Sequence, residues 1–261
     1  MNYKFCAKTD TGRARDNNED SIAIDERTQL VVLADGMGGY NAGEVASGMA
    51  TSFIKTELSR WLTEVGSVAR SREVRRAMEI CVDSANLAIY NSANANPHYS
   101  GMGTTLVVGV FREDGLVLGH IGDSRCYRLR AGTLEQITRD HSLLQEQMDA
   151  GLITPEQAQH STIKNLVTRA LGVESGVLME VNEHAVEIGD VYLLCSDGLS
   201  DMVSDTTIAK IMQGEGSLER QAQALVDAAN DHGGRDNISV LLAEVTEASE
   251  KRGLIARLLG K

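Results

Sequence analysis

Acidic residues stand at the ends of short apolar runs, and four such ends recur along the chain. Asp35 closes the run Leu30-Val31-Val32-Leu33-Ala34 and precedes Gly36. Asp197 follows Val191-Tyr192-Leu193-Leu194-Cys195-Ser196 and precedes Gly198. Asp236 stands directly before Asn237-Ile238-Ser239-Val240-Leu241-Leu242, and Glu19 and Asp20 directly before Ser21-Ile22-Ala23-Ile24. Runs of this kind read as strands. If their acidic ends gather at one edge, several like charges meet, repel, and raise one another's pKa unless a cation neutralises them. Hard oxygen donors of this type suit Mg2+ or Mn2+ rather than zinc. The glycine after Asp35 removes a side chain, which lets a backbone carbonyl approach an ion as well. A lone Asp-Gly is ordinary turn punctuation, and Asp114-Gly115, between two hairpin strands, reads that way. Four acid-ended strands are not explained so simply.

The remaining segments group rather than alternate. Strand-like runs at Tyr3–Lys8, Ser21–Asp25 and Leu30–Ala34 precede two long helical patterns. In the first, Val45, Met49, Phe53, Ile54, Leu58 and Leu62 recur at three- and four-residue spacing. The second runs from about Arg72 to Ala95, stops before Pro97, and carries Val74, Met78, Cys81, Ala85 and Ile89 on one stripe. Strands follow at Thr104–Phe111, Leu116–Ile121, Cys126–Arg130 and Thr133–Gln136. A polar helical stretch covers Ser142–His160; then come strands at Leu178–Ile188 and Val191–Cys195, a helix over Leu218–His232, and a last strand at Asn237–Val245. Meandering strands with helices in pairs between them predict an α+β fold, a four-layer αββα sandwich. In it two antiparallel sheets pack face to face and helix pairs cover the outside. One domain is expected over residues 1–247, with a short basic tail at 248–261 that reads as a frayed terminus.

Composition narrows the partners. Hydrophobic residues at 42% and charged residues at 24% exclude disorder as the dominant state. A formal net charge of −12 repels phosphate backbones and anionic lipid, so nucleic acid and membrane are not expected partners. No window approaches the ~18 apolar residues of a membrane span. The scattered cysteines Cys6, Cys81, Cys126 and Cys195 form no C-x-x-C pair and read as buried free thiols, which places the chain in the cytoplasm.

Further segments resemble the motifs of the metal-dependent, type 2C-like protein serine/threonine phosphatases, and in family order. They are Thr11-Gly12-Arg13-Ala14-Arg15-Asp16-Asn17-Asn18-Glu19-Asp20-Ser21, Asp35-Gly36-Met37-Gly38-Gly39, Gly103-Thr104-Thr105 and Gly122-Asp123-Ser124-Arg125. Thr138-Arg139-Asp140-His141-Ser142, Thr168-Arg169-Ala170-Leu171-Gly172, Ser196-Asp197-Gly198-Leu199-Ser200-Asp201 and Gly234-Arg235-Asp236-Asn237 complete the series. The resemblance implies hydrolysis of phosphoserine and phosphothreonine on proteins by direct attack of a water activated between two Mn2+ or Mg2+ ions. It implies that Asp35 bridges the two ions with the Gly36 carbonyl on one, and that Asp197 and Asp236 complete the shell of the other. Glu19 and Asp20 would hold ion-bound waters, and Asn237 would orient water or ligand nearby. Asp123 and Asp201, with Asp197, match a third, weaker site in bacterial relatives. Arg15 matches the arginine that grips the substrate phosphate, and its planar fork suits two phosphate oxygens. A monomer acting on phosphorylated proteins, with a serine/threonine kinase as counterpart, is the implied setting.

One position departs from the eukaryotic pattern, which has a histidine after the Asp-Gly pair to protonate the leaving alkoxide. Here Met37 stands there, as in the bacterial branch, and cannot donate a proton. A metal-bound water or His141 could serve instead, although His141 reads more readily as structural. Residues 142–162 match a flap beside bacterial active sites, or equally an ordinary surface helix pair. The chain contains no C-x5-R, Asp-x-Asp, Gly-Asn-His-Glu or Gly-x-Ser-x-Gly segment, which removes the other phosphatase nucleophiles and metal frameworks and the serine hydrolase elbow. The surviving alternatives are a silent binding module of the same fold and a phosphoesterase acting on small molecules.

Overall fold

The computed structural model describes residues 1–38, 42–113, 115–154, 157–158 and 166–247. Among the described residues, eleven strands form two antiparallel sheets. The first contains β1 (Asn2–Asp10), β11 (Ile238–Thr246), β10 (Val191–Cys195), β7 (Arg125–Arg130) and β8 (Thr133–Gln136), in that spatial order. The second runs β2 (Asp20–Asp25), β3 (Leu30–Met37), β5 (Leu106–Arg112), β6 (Gly115–Ile121) and β9 (Glu180–His184), with β4 (Gly103–Thr104) paired to the end of β3. The helices are α1 (Gly43–Val65), α2 (Ser71–Ala95), α3 (Leu143–Asp149), α4 (Asp197–Ser200), α5 (Asp205–Met212) and α6 (Leu218–Asp231).

Strand periodicity explains how four layers form. Successive side chains of β3 point to opposite faces. Leu30, Val32 and Ala34 pack with Ala50, Ile54 and Leu58 of α1 and Met78 and Ile89 of α2. Val31 and Leu33 face the other sheet, meeting Tyr192, Leu194 and Leu241. Both faces being covered, the run is continuously apolar with no polar alternation. The first sheet does the same on its outer face: Leu193, Cys195 and Leu242 pack with Ile208 of α5 and Leu225 and Val226 of α6. All four cysteines are buried and free.

Several elements differ from the sequence expectation for local reasons. The run Leu178–Ile188 is a strand only over Glu180–His184, because its partner β6 begins at Gly115 just beyond Leu116, which sits opposite His184. The expected strand Thr104–Phe111 breaks at Thr105, whose backbone N–H turns aside to the Asp35 carbonyl at 2.9 Å. The polar helix from Ser142 ends at Asp149, with Gly151 left-handed at φ 67° beyond it. Residues 155, 156 and 159–162 of the flap, together with Gly39, Asp114 and the basic tail, lie outside the described residues. The short helices α4 and α5 follow β10 directly and have too few turns for a legible apolar period.

Candidate functional site

Strand ends from both sheets meet at one edge of the sandwich. Asp20 opens β2 and lies opposite Asp35, near the end of β3, in the strand register. Asp197 starts α4 immediately after β10, and Asp236 stands two residues before β11. The turn between β6 and β7 adds Asp123. At this edge Ser196 Oγ, just past β10, donates to Asp20 Oδ2 of β2 at 2.8 Å and ties the two sheets together.

These carboxylates feel one another. Burial first, then the charges of Asp20, Asp197, Asp123 and Asp236, hold the Asp35 carboxyl well above the usual carboxylate range. Asp197 is raised in the same way, by burial and then by Asp123, Asp201, Asp236 and Asp20. Asp20 is pushed up to about 6, chiefly by burial, despite the hydrogen bonds it accepts. Asp123 also rises to about 6, from burial and the neighbouring Asp140 and Asp201. Glu19 is raised by burial and Glu44 against a hydrogen bond from the Gly43 amide at the start of α1. Asp20 Oδ1 is buried without a hydrogen-bond partner. A buried, unmatched oxygen among mutually repelling carboxylates is the donor set that a divalent, oxygen-preferring cation fits.

The glycines that follow two of these aspartates have a steric cause. A Cβ on Gly36 would fall on the Gly43 carbonyl oxygen and 2.6 Å from the Glu19 carbonyl oxygen. A Cβ on Gly198 would fall on the Asn237 carbonyl oxygen. Another stretch of backbone passes directly over each Asp-Gly pair, and that close crossing brings the acid ends together. The space beside Gly36 is thus filled by protein backbone.

Hydroxyl groups that the sequence reading overlooked set the carboxylate-bearing backbone. Thr105 Oγ1 accepts from the Asp35 N–H at 3.0 Å and bonds Ser124 Oγ at 2.7 Å. Thr104 Oγ1 donates to the Asp35 carbonyl at 2.8 Å, and Ser47 Oγ donates to the Glu19 carbonyl. Ser196, fully buried, also accepts from the Ser239 N–H at 3.0 Å. Serine and threonine carry no periodic signature; for Ser124 and Ser196 the available signal was their place next to Asp123 and Asp197, whereas Thr104 and Thr105 are far from Asp35 along the chain.

Arg15 stands at the rim with its side chain half exposed, and its Nη2 donates to Asp236 Oδ2 at 2.7 Å. The carboxamide of Asn237 binds backbone at both ends, donating to the Thr11 and Asn17 carbonyls at 2.9 and 2.8 Å and accepting from the Glu19 N–H at 2.8 Å. It therefore ties down the loop that carries Arg15.

His141 is enclosed. Its ring stacks on His120 with centroids 4.7 Å apart, and its Nδ1 accepts from the Gly122 N–H at 3.1 Å. Burial, then His120 and Arg169, lower its pKa to about 4, so it is neutral near pH 7. Its backbone also bonds Gly122 and Thr168, so His141 braces the turn that carries Asp123. His120, His141 and Glu180 offer ligand atoms within 4.8 Å of one another. However, with Nδ1 accepting, the His141 proton sits on Nε2, which leaves no lone pair there for an ion. Arg169 Nη1 lies 3.4 Å from the same nitrogen.

Beside the carboxylates a groove of about 720 Å³ runs from Asp123, Asp197 and Asp201 past Asp140 and α3 to Asp205. Among the described residues no helix is long and apolar enough to cross a membrane.

The family model described as protein phosphatase 2C matches residues 11–242. The serine/threonine phosphatase stp of Listeria welshimeri is 38% identical over 240 residues, covering 91% of this chain and 94% of that one. The serine/threonine protein phosphatase PstP of Mycobacterium tuberculosis is 40% identical over 245 residues, 94% of this chain but 45% of that longer protein. The crystal structure of the catalytic domain of PstP in complex with two manganese ions superposes with a TM-score of 0.80 at 39% identity, covering 94% of this chain and 99% of that one.

Proposed function

Because the chain belongs to the protein phosphatase 2C family, we propose that it hydrolyses phosphoserine and phosphothreonine in proteins with the help of Mn2+ or Mg2+. The observation that carries this reading is the gathering of Asp20, Asp35, Asp123 and Asp197 at one edge, where burial first and then neighbouring acids (Asp236 for Asp20, Asp140 and Asp201 for Asp123, the cluster itself for Asp35 and Asp197) raise every one of them. Asp35 with the Gly36 carbonyl, together with Asp197 and Asp236, would hold two ions. Glu19 and Asp20 would steady the waters around them, and Asp123 and Asp201, with Asp197, would offer a weaker third site. When bound, such ions supply charge neutralisation and acidify a water molecule held between them.

The chain's own groups do the rest. Arg15 presents a fork of N–H donors at the rim, matched to two oxygens of a phosphate ester. The groove along α3 receives the polypeptide around the phosphorylated residue. Met37 cannot protonate the leaving oxygen, and His141, neutral and committed to Gly122, is occupied in bracing the Asp123 turn. The leaving group's proton therefore comes from solvent within the site. Residues 1–247 act as one catalytic domain, and the natural substrates are proteins phosphorylated by a serine/threonine kinase in the cytoplasm. The enzyme works as a monomer in this reading.

Hydrolysis of p-nitrophenyl phosphate and of a phosphothreonine peptide tests the reading. Activity on both is expected with added Mn2+ or Mg2+ and none in excess chelator. Full activity in chelator would sink the metal dependence, and activity on small esters with none on phosphopeptides would restrict the enzyme to small molecules.

A further inference from the structure

We infer that Asn237 is a positioning residue that fixes Arg15 and Glu19 on the site, a role that rests on the phosphatase reading above. Asn237 is 5% exposed. Its Nδ2 donates to the carbonyls of Thr11 and Asn17, which bracket Arg15, and its Oδ1 accepts from the Glu19 N–H. The intervening loop lies outside any helix or strand. Its other backbone tie is to the same neighbourhood: the Arg13 and Ala14 N–H groups both donate to the Gly234 carbonyl, at 2.7 and 3.1 Å. Residues 234–237 also carry Asp236, the carboxylate that receives Arg15 Nη2. The backbone beneath Arg15 and its ionic partner are thus set by one four-residue stretch.

At its far end the clasp continues into the carboxylate cluster. The Glu19 carbonyl accepts from the Gly36 N–H at 3.0 Å and from Ser47 Oγ, so a shift of Glu19 is transmitted to the Asp35-Gly36 backbone. The job needs a compact neutral side chain that donates twice and accepts once. Asparagine supplies this. Aspartate has the same shape and still accepts from Glu19, but it has no N–H for Thr11 and Asn17 and turns a negative charge on their carbonyls. Releasing the loop lets Arg15 sample many positions, which weakens phosphate binding before it affects bond cleavage.

The test combines kinetics on p-nitrophenyl phosphate in Mn2+ with hydrogen exchange of the intact chain. Asn237→Asp is expected to raise KM roughly tenfold and to leave kcat within about threefold. It should also speed exchange at residues 11–19 while β3 and α1 remain protected. The double variant with Arg15→Ala should show a KM no higher than Arg15→Ala alone, because the part of the clasp that governs phosphate binding acts through Arg15. Asn237→Ala, which adds no charge, should reproduce the KM effect; a wild-type KM in that variant would overturn the positioning role. Additive losses in the double variant, or unchanged exchange at residues 11–19, would also overturn it. In wild type the loop amides should exchange slowly, and exchange as fast as in a free peptide would remove the clasp even if neither variant folds. An inactive wild type would instead defeat the phosphatase reading, with the exchange arm still deciding the clasp.

Discussion

After burial, the charges of Asp20, Asp197, Asp123 and Asp236 all raise Asp35. Removing its charge should therefore separate activity from stability. Asp35→Asn is expected to lower the Mn2+-dependent rate by orders of magnitude yet to melt above wild type in chelator, as read by circular dichroism; a lower melting temperature there would contradict the repulsion. Asp123 gives the pH dependence. Its pKa is about 6 in the folded chain and about 3.9 in an unfolded one. A group raised on folding stabilises fully below its unfolded pKa, and that contribution is lost as pH rises through the folded value. In chelator, Asp123→Asn should match wild type near pH 4 and melt progressively above it until about pH 6, with a constant gap beyond. A gap that narrows with rising pH would contradict this. The acids were legible because each ends a recognisable apolar run. The role of Asn237 was not, because bonds to Thr11 and Asn17 across more than two hundred residues leave no local pattern.

Strands and helices place those residues by simple rules, and most of them could be read in advance. The uninterrupted run of β3 signalled burial on both faces, and Ile54 and Leu58 on α1 and Met78 and Ile89 on α2 are the stripes that cover it. What escaped was set by partners rather than by propensity. The short length of β9 follows from where β6 begins, and the break at Thr105 from its bonds to Asp35. The division into separately packed layers yields a prediction. Ile54 is fully buried between α1 and the β3 face, so Ile54→Ala should cost about 2–5 kcal/mol in urea unfolding. Mn2+ affinity measured on the folded fraction should remain close to wild type, since Ile54 lies several turns along α1 from Gly43, where that helix meets Glu19. A large loss of affinity with little loss of stability would show that α1 does more than cover the sheet.

The whole molecule is a frame that turns two sheet edges toward one point. Neither sheet alone could assemble the cluster: Asp20 and Asp35 belong to one, Asp197 and Asp236 border the other, and Ser196 joins them. A sandwich of two sheets can bring strand ends that are distant in sequence within reach of a shared ion, at the expense of gathering like charges on a chain already at net −12. Stability and function are therefore linked through cation binding, because any ligand that binds only the folded form raises its stability. The most direct measurement is an anomalous difference map from crystals grown in Mn2+ and recorded near the manganese absorption edge. Peaks are expected among Asp35, Asp197 and Asp236, with Asp35 between two of them. A map with no peak at these carboxylates, in crystals of protein that is active in the same Mn2+ solution, would contradict the proposed site.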